Sequence, residues 1–459
     1  MDARTALYPP SFTPPEGRLG VLAFLSACVK NPLATVPAVA YREFVAVLEA
    51  RGRKAVWLTD PALIERVLVT DADKFVKTEL ERRVFDPVLG DGVLTANGQS
   101  WRWQRRALAP LFRHSELLGY VPDMIAAGDA QIARWRSRLG PRPSRPQSID
   151  ADMTETTYDI IVRTMLHGGA PDDVGGVMDA GSRYLEGTPW VIAYSLLGLP
   201  QWMPHPAMIT LRRAARSLRR HVGAIIDERR RKGGETRDLL GRLLAARDPD
   251  TGAPMTREQL IDNVATLLEA GHETTAKALT WSLYLLAMAP DWQDKARAQV
   301  IAVTDGGQLM AEHLDRLDVI ERILKEAMRL YPPAVVISRT AQERVDLAGT
   351  VLEPHHTVFV PLYALHRHTR LWEDPGRFDP DRFLPAAVTR IPRTQYMPFG
   401  AGPRSCIGSS FAMIEAKVLL ARFLAAARFS WPGGPAPEPV SRVTLRPANG
   451  LSLGVELLA

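Results

Sequence analysis

Cys406 is one of only two cysteines in 459 residues, and it lies in PFGAGPRSCIG, Pro398 to Gly408, among three glycines, two prolines and an arginine. A lone thiol can be an inert buried group, a nucleophile or a metal ligand. The first is the commonest fate of a free cysteine. A nucleophile needs a base nearby in space, and no nucleophile motif surrounds this one. Zinc and iron–sulfur clusters draw on several Cys or His ligands at short spacing, which this segment does not offer.

A haem iron is different, because its porphyrin supplies four ligands and a single axial thiolate completes the attachment. That option accounts for the neighbours. Gly400, Gly402 and Gly408 let the backbone pass close to a flat macrocycle and turn N–H groups towards the sulfur, which would temper the thiolate charge. Arg404 can pair with a haem propionate, and Phe399 can pack beside the thiolate and keep water away.

Other residues of chemical interest lie upstream. Ala270-Gly-His-Glu273-Thr274-Thr275 sits inside a long apolar segment. Gly271 permits a local bulge there, the Thr274 hydroxyl could then hold a water or an oxygen ligand, and Glu273 could relay protons. Taken alone, the pair also fits a polar patch on a helix that partly faces water. Glu326 and Arg329 are three apart and can pair on one helix face. Trp101 and Arg105 share a face at a spacing of four, which turns Trp103 elsewhere, into core packing.

The stretch from Phe399 to Gly408 resembles, at every fixed position, the haem-binding loop of the cytochrome P-450 family, F-x-x-G-x-R-x-C-x-G. Chance would produce it in a chain this long about once in ten thousand. The segment from Ala270 to Thr275 is similar to the family's oxygen-activation motif, and Glu326 with Arg329 matches E-x-x-R. LHRHTRLWEDPGRFDPDRF places Arg382 where the family completes a structural Glu-Arg-Arg cluster; His368 and Thr369 depart from its usual Asp-Pro, which should alter a turn. Trp101 and Arg105 look like the family's propionate-binding pair, and Arg339 falls on a further propionate-binding position.

The resemblance implies haem b as cofactor with Cys406 on its iron. It also implies insertion of one atom of dioxygen into a hydrophobic organic molecule, with Glu273 and Thr274 handling protons. The sequence carries no flavin or nicotinamide fingerprint, so the electrons are expected from a separate ferredoxin or flavodoxin with its reductase. Arg102, Arg106 and Arg113 could steer an acidic donor, or could be an ordinary solvated helix surface. A peroxide-using or hydroperoxide-rearranging relative would tend to lack the Glu-Thr pair, and a haem-thiolate sensor would need neither that pair nor a substrate pocket. Segments 82–94, 267–271 and 332–338 would surround the pocket, and the apolar stretch 188–206 would either cover a channel mouth or fill core.

Positioning these groups requires mostly helix. A capping box at Thr256 and Gln259 opens a helix reaching Ala289, long enough to cross a whole domain, and a second runs from Leu314 to the stop at Pro332-Pro333. Strand signals are confined to AVWL at 55–58 and a hairpin-like pair, VDLAGTVL with HTVFVPL. The expected fold is mainly α with a small β portion, P-450-like, in a single domain over 1–459.

Composition sets the limits. Hydrophobic residues make up 46% and charged residues 24% of the chain, with 33 Gly and 36 Pro scattered through it, which excludes a disordered or low-complexity protein. Two cysteines argue against a disulfide-stapled secreted scaffold. The net charge of +6 is too mild to imply nucleic acid, and the arginines from Arg212 to Lys232 alternate with apolar residues as on a solvated amphipathic helix. The apolar run Leu19 to Val29 is too short to span a membrane, and its acidic, proline-rich leader is unlike a signal peptide. A cytoplasmic protein follows.

Overall fold

The computed structural model describes residues 6–17, 19–50, 53–140, 144–166, 174–233, 238–248 and 250–458. Helices dominate, and the ones that build the site are α1 (Glu79–Leu89), α2 (Gly98–Leu108), α3 (Ile149–Leu166), α4 (Val174–Leu196), α5 (Met208–Lys232), α6 (Arg257–Met288), α7 (Asp318–Leu330) and α8 (Ser409–Ala426). A sheet at one side contains β1 (Val45–Ala50), β2 (Arg53–Leu58), β3 (Phe75–Val76), β4 (Ile337–Ala341) and, after the hairpin β5 (Val345–Leu347) and β6 (Thr350–Leu352), β7 (Thr357–Val360). Its order is β1-β2-β7-β4-β3, with β2 and β7 parallel and the other pairs antiparallel. A second antiparallel ribbon pairs β8 (Pro439–Arg442) with β9 (Thr444–Pro447).

The axis of the molecule is α6. Thr256 accepts from the Gln259 N–H while the Gln259 side chain accepts from the Thr256 N–H, closing the predicted capping box. Its 32 residues run about 48 Å at 1.5 Å each. Leu279, Trp281, Leu283, Leu285 and Leu286 are completely buried, so its middle and end form the heart of the core. The Trp281 ring stacks on Tyr331 with centroids 3.9 Å apart, locking α6 to the end of α7.

Two expectations change, and part of a stretch left open is settled as helix. Helix α7 begins at Asp318 rather than Leu314, behind a separate 3-10 turn from Ala311 to Arg316; the Val319 N–H is capped from outside by Gln299 Oε1 at 3.0 Å. The hairpin lies wholly within VDLAGTVL, turning at Ala348 and Gly349, both at positive φ, whereas HTVFVPL carries β7 in the larger sheet. The first half of the apolar stretch 188–206, residues 188–196, forms the last turns of α4, which runs through Pro189. The basic stretch behaves as a solvated helix: α5 buries Leu211, Leu218, Val222 and Ile226 and pairs Arg219 with Asp262 and Arg229 with Asp238. No helix among the described residues is long and apolar enough to cross a membrane.

Candidate active site

A cavity of about 530 Å³ lies between α6 and the Cys406 loop. Its lining brings together Trp101 and Arg105 of α2, Glu273 and Thr274 of α6, Arg339 of β4, and Phe399, Arg404, Cys406 and Gly408 of the loop. Distant segments therefore converge as the motifs demanded. The cysteine is exposed, and the space it faces is this cavity.

Local geometry fixes the sulfur. The Cys406 N–H donates to the Phe399 carbonyl at 2.8 Å, closing the loop on itself just before α8 begins. Burial pushes the thiol upward in pKa, while the Gly408 N–H and the Arg105 charge pull it back. Gly402 serves another purpose than the sequence suggested. With φ at +70° it faces away from the cavity, and a Cβ there would collide with the Leu68 carbonyl, so its missing side chain seats the loop on the adjacent turn. Gly400 also needs positive φ, whereas Gly408 does not.

The opposite wall is α6. Gly271 marks no bulge, because the helix is continuous through it; a Cβ there would meet Ile161 Cδ1 at 2.7 Å, so glycine is what lets α3 approach. The Thr274 hydroxyl donates to its own backbone, the Ala270 carbonyl, at 2.8 Å, leaving its lone pairs to face the cavity. Glu273 is buried and accepts from the Thr444 hydroxyl at 2.9 Å, with Arg446 Nη2 at 3.2 Å and Lys277 Nζ at 3.8 Å. Burial alone would raise its pKa, but Lys277, Arg446, His272 and Thr444 together hold it below the ordinary value. Arg446 also reaches the exposed Glu186 at 3.0 Å, so a charged string joins the cavity wall to solvent.

Around the rim four cations crowd together. Arg404 donates to the Ala96 carbonyl at 2.8 Å and to Asn97 Oδ1 at 3.2 Å, and its guanidinium lies 3.9 Å over the Trp101 ring. Burial and the nearby Arg339 and Arg105 charges depress its pKa to about 10. Arg339 donates to the Ser338 carbonyl, 2.7 Å away, and lies 3.8 Å from Glu81, which itself pairs with Lys77 at 2.7 Å. Among the described residues one carboxylate, Glu81, stands among Lys77, Arg105, Arg339 and Arg404, so positive charge is in excess beside the thiol. A flat group with an acidic edge fits there, with Cys406 on one face and Ala270 to Thr274 on the other.

Behind the loop, Glu326 and Arg329 are fully buried and doubly hydrogen-bonded at 2.7 and 2.8 Å, with Arg382 at 3.6 Å from the same carboxylate. The cluster expected from E-x-x-R and the later arginine is thus assembled. Arg382 also donates to the Glu373 and Asp374 carbonyls. At the departures from the usual Asp-Pro, His368 stacks on Phe44 at 4.9 Å and the Thr369 N–H donates to the Tyr41 carbonyl, tying this turn to the start of β1. Trp103 is buried as predicted.

The family model described as cytochrome P450 matches residues 31–453. The chain belongs to the cytochrome P450 family. It is 32% identical over 410 residues to the cyclooctatin synthase of Streptomyces melanosporofaciens, covering 88% of this chain and 85% of that protein. Pentalenene oxygenase of Streptomyces avermitilis is 32% identical over 379 residues, with 79% of each covered. Among solved structures, the cytochrome P450DA heme domain superposes with a TM-score of 0.78 at 27% identity, covering 96% of this chain and 92% of that one. This P450 is therefore a haem-dependent monooxygenase acting on hydrophobic organic substrates.

Two acids in this P450 are given no chemical role by the motifs. Glu415 of α8 is wholly buried against Thr275, and burial drives its pKa far above the carboxylate range, so it keeps its proton. Glu269, one turn before Glu273 on α6, lines the cavity. The resemblance places segment 267–271, and so Glu269, at the pocket without giving the acid a role, and it does not mark Glu415; what each carboxyl faces is set by helices that meet only in three dimensions.

Proposed function

We propose that this P450 oxidises compact alicyclic hydrocarbon skeletons of terpene type, with electrons from an acidic ferredoxin. The observation that carries the reading is the lining beyond the rim of cations, where Val84, Phe85, Val88, Leu185, Ile192 and Val336 form a broad apolar wall. Such a wall selects by shape and burial rather than by directed bonds. The relatives named for cyclooctatin and pentalenene support the same skeleton class. Cyclic sesquiterpene and diterpene hydrocarbons should shift the haem spin state. Turnover with a ferredoxin and its reductase under isotopically labelled dioxygen should then put a single labelled atom into the product. Spin shifts only with linear fatty acids would overturn the substrate class.

Haem, when bound, supplies the reductive cleavage of dioxygen that sends one atom into the substrate and the other into water. In this reading Cys406 Sγ holds the iron, with the Gly408 N–H and Arg105 tempering its charge. Arg105, Arg339, Arg404 and Trp101 hold the propionate edge. Thr274 Oγ1 accepts a hydrogen bond from the cavity, and Glu273 takes up and delivers protons that enter from the solvent side at Glu186, with Arg446 pairing to both carboxylates and holding them in line without itself titrating. Glu273→Gln should keep the haem spectrum and substrate binding yet lower coupled product formation by about 10- to 100-fold, with more reduced oxygen lost as peroxide. Unchanged coupling would remove Glu273 from the proton path.

Arg102, Arg106 and Arg113 are exposed on and just after α2, the helix that also carries Trp101 and Arg105. Among the described residues Arg106 makes only a distant ionic contact, 3.9 Å from Asp250. Exposed charges of this kind set association rate more than stability. Arg106→Glu should slow reduction by an acidic ferredoxin several-fold at low salt, with the difference fading as salt rises. A salt-independent, unchanged rate would place the donor elsewhere.

A further inference from the structure

We propose that Glu269 is the polar anchor of the substrate pocket, its carboxyl holding a hydroxyl group on an otherwise apolar substrate. This deepens the reading of an apolar skeleton by adding one directed contact. Glu269 projects from α6 into the cavity wall, and its carboxyl lies against Gly181 of α4, where a Cβ would run into both of its oxygens. The seat is therefore made by two helices. Burying a carboxyl without partners is costly, yet Oε1 is enclosed with no hydrogen-bond partner among the described residues, while the side chain as a whole is only part buried where it meets the cavity.

The neighbouring polar side chains of the same wall are already satisfied. Tyr184 donates to the Val84 carbonyl at 2.7 Å, Thr164 to the Ile160 carbonyl at 2.8 Å and Thr266 to the Asp262 carbonyl at 2.6 Å. The other two acids of the lining are spoken for as well, Glu81 by Lys77 and Ser338, and Glu273 by Thr444 and Arg446. Glu269 alone among the described acids of the lining has a buried oxygen left over. Burial, reinforced by the Glu273 charge, pushes its pKa up to about 8, so at neutral pH the carboxyl can donate as well as accept. A hydroxyl is the group that uses both capacities.

The test avoids dependence on the natural substrate by using the iron itself as a fixed point. A series of N-alkylimidazoles, from butyl to dodecyl, is titrated spectroscopically beside the same chains ending in a hydroxyl. In the wild type, one chain length should place the hydroxyl at Glu269 and tighten binding about tenfold relative to the plain chain. In Glu269→Met, which keeps length and removes hydrogen bonding, that gain should vanish; Glu269→Gln should restore part of it. The carbon-monoxide spectrum confirms in each variant that the thiolate haem is intact, and Glu269→Leu serves as a second apolar variant if the first does not load. An equal hydroxyl effect in wild type and apolar variant at every length would overturn the proposal. Because the azole series does not involve terpenes, a failed hydrocarbon screen leaves this result standing, and the reverse holds too.

Discussion

Cys406→Ser should give a folded protein that has lost its oxidative chemistry. The backbone bond from residue 406 to the Phe399 carbonyl and the seating of Gly402 on Leu68 do not involve the sulfur. Serine is smaller and polar, so the loop survives and melting should move by little. The electronic consequence is large, because the thiolate is what donates the electron density that favours O–O cleavage in this class. The strongly red-shifted Soret band of the reduced carbon-monoxide complex should disappear, and product formation should fall by at least about a thousandfold. A variant that retained the band would show that another group holds the iron.

Arg329→Ala should cost the protein its fold and, through that, its haem. Arg329 is completely buried. Besides Glu326 it donates to the carbonyls of His366 and Pro375 at 2.8 Å and of Arg377 at 3.0 Å. His366 in turn accepts the Met397 N–H at 3.1 Å, the residue that leads directly into PFGAGPRSCIG. Burial and the adjacent Arg329 and Arg367 charges press the His366 pKa down to about 3, so the ring stays neutral and able to accept. Removing Arg329 therefore leaves Glu326 without its main partner and frees the segment that carries the sulfur. Breaking a buried pair in this way costs about 3–5 kcal/mol, a large part of a typical domain's stability. Haem content and melting temperature should both drop sharply. Arg329→Lys should rescue little, because one ammonium cannot bond two carboxylate oxygens and three carbonyls in one plane. An unchanged melting temperature in Arg329→Ala would show that the cluster is ornamental to stability.

Much of this was legible in the sequence, and the boundary is instructive. Local rules marked the capping box at Thr256 and the proline stop after α7, because each depends on residues a turn or two apart. The loop around Cys406 was legible for another reason: a single-thiolate haem site compresses its requirements into ten residues. Positions set by contact between helices were not legible. Gly271 looked like a kink site and proved to be an approach site for Ile161, and Gly402 looked towards the macrocycle but fits against Leu68. Glu269 falls in the segment 267–271 that the resemblance places at the pocket, just before the motif; only Gly181, contributed by α4, shows what its carboxyl is set against. The hairpin was misassigned because β-branched alternation marks a strand without naming its partner, and β7 found its neighbours in β2 and β4.

The crowd of cations at the cavity rim bears on how the enzyme is assembled. Before the cofactor arrives, Lys77, Arg105, Arg339 and Arg404 share one carboxylate, and part of their mutual repulsion is unrelieved. Such a rim projects a positive field outward, so a dianionic porphyrin approaching a newly made chain is drawn in acid edge first. In the reading proposed above, the porphyrin carboxylates would relieve that repulsion while the metal comes within reach of the sulfur. Assembly would then be self-orienting: the edge that the field captures would be the edge the finished enzyme keeps, and a porphyrin stripped of its carboxylates would lose its guide as well as its anchor.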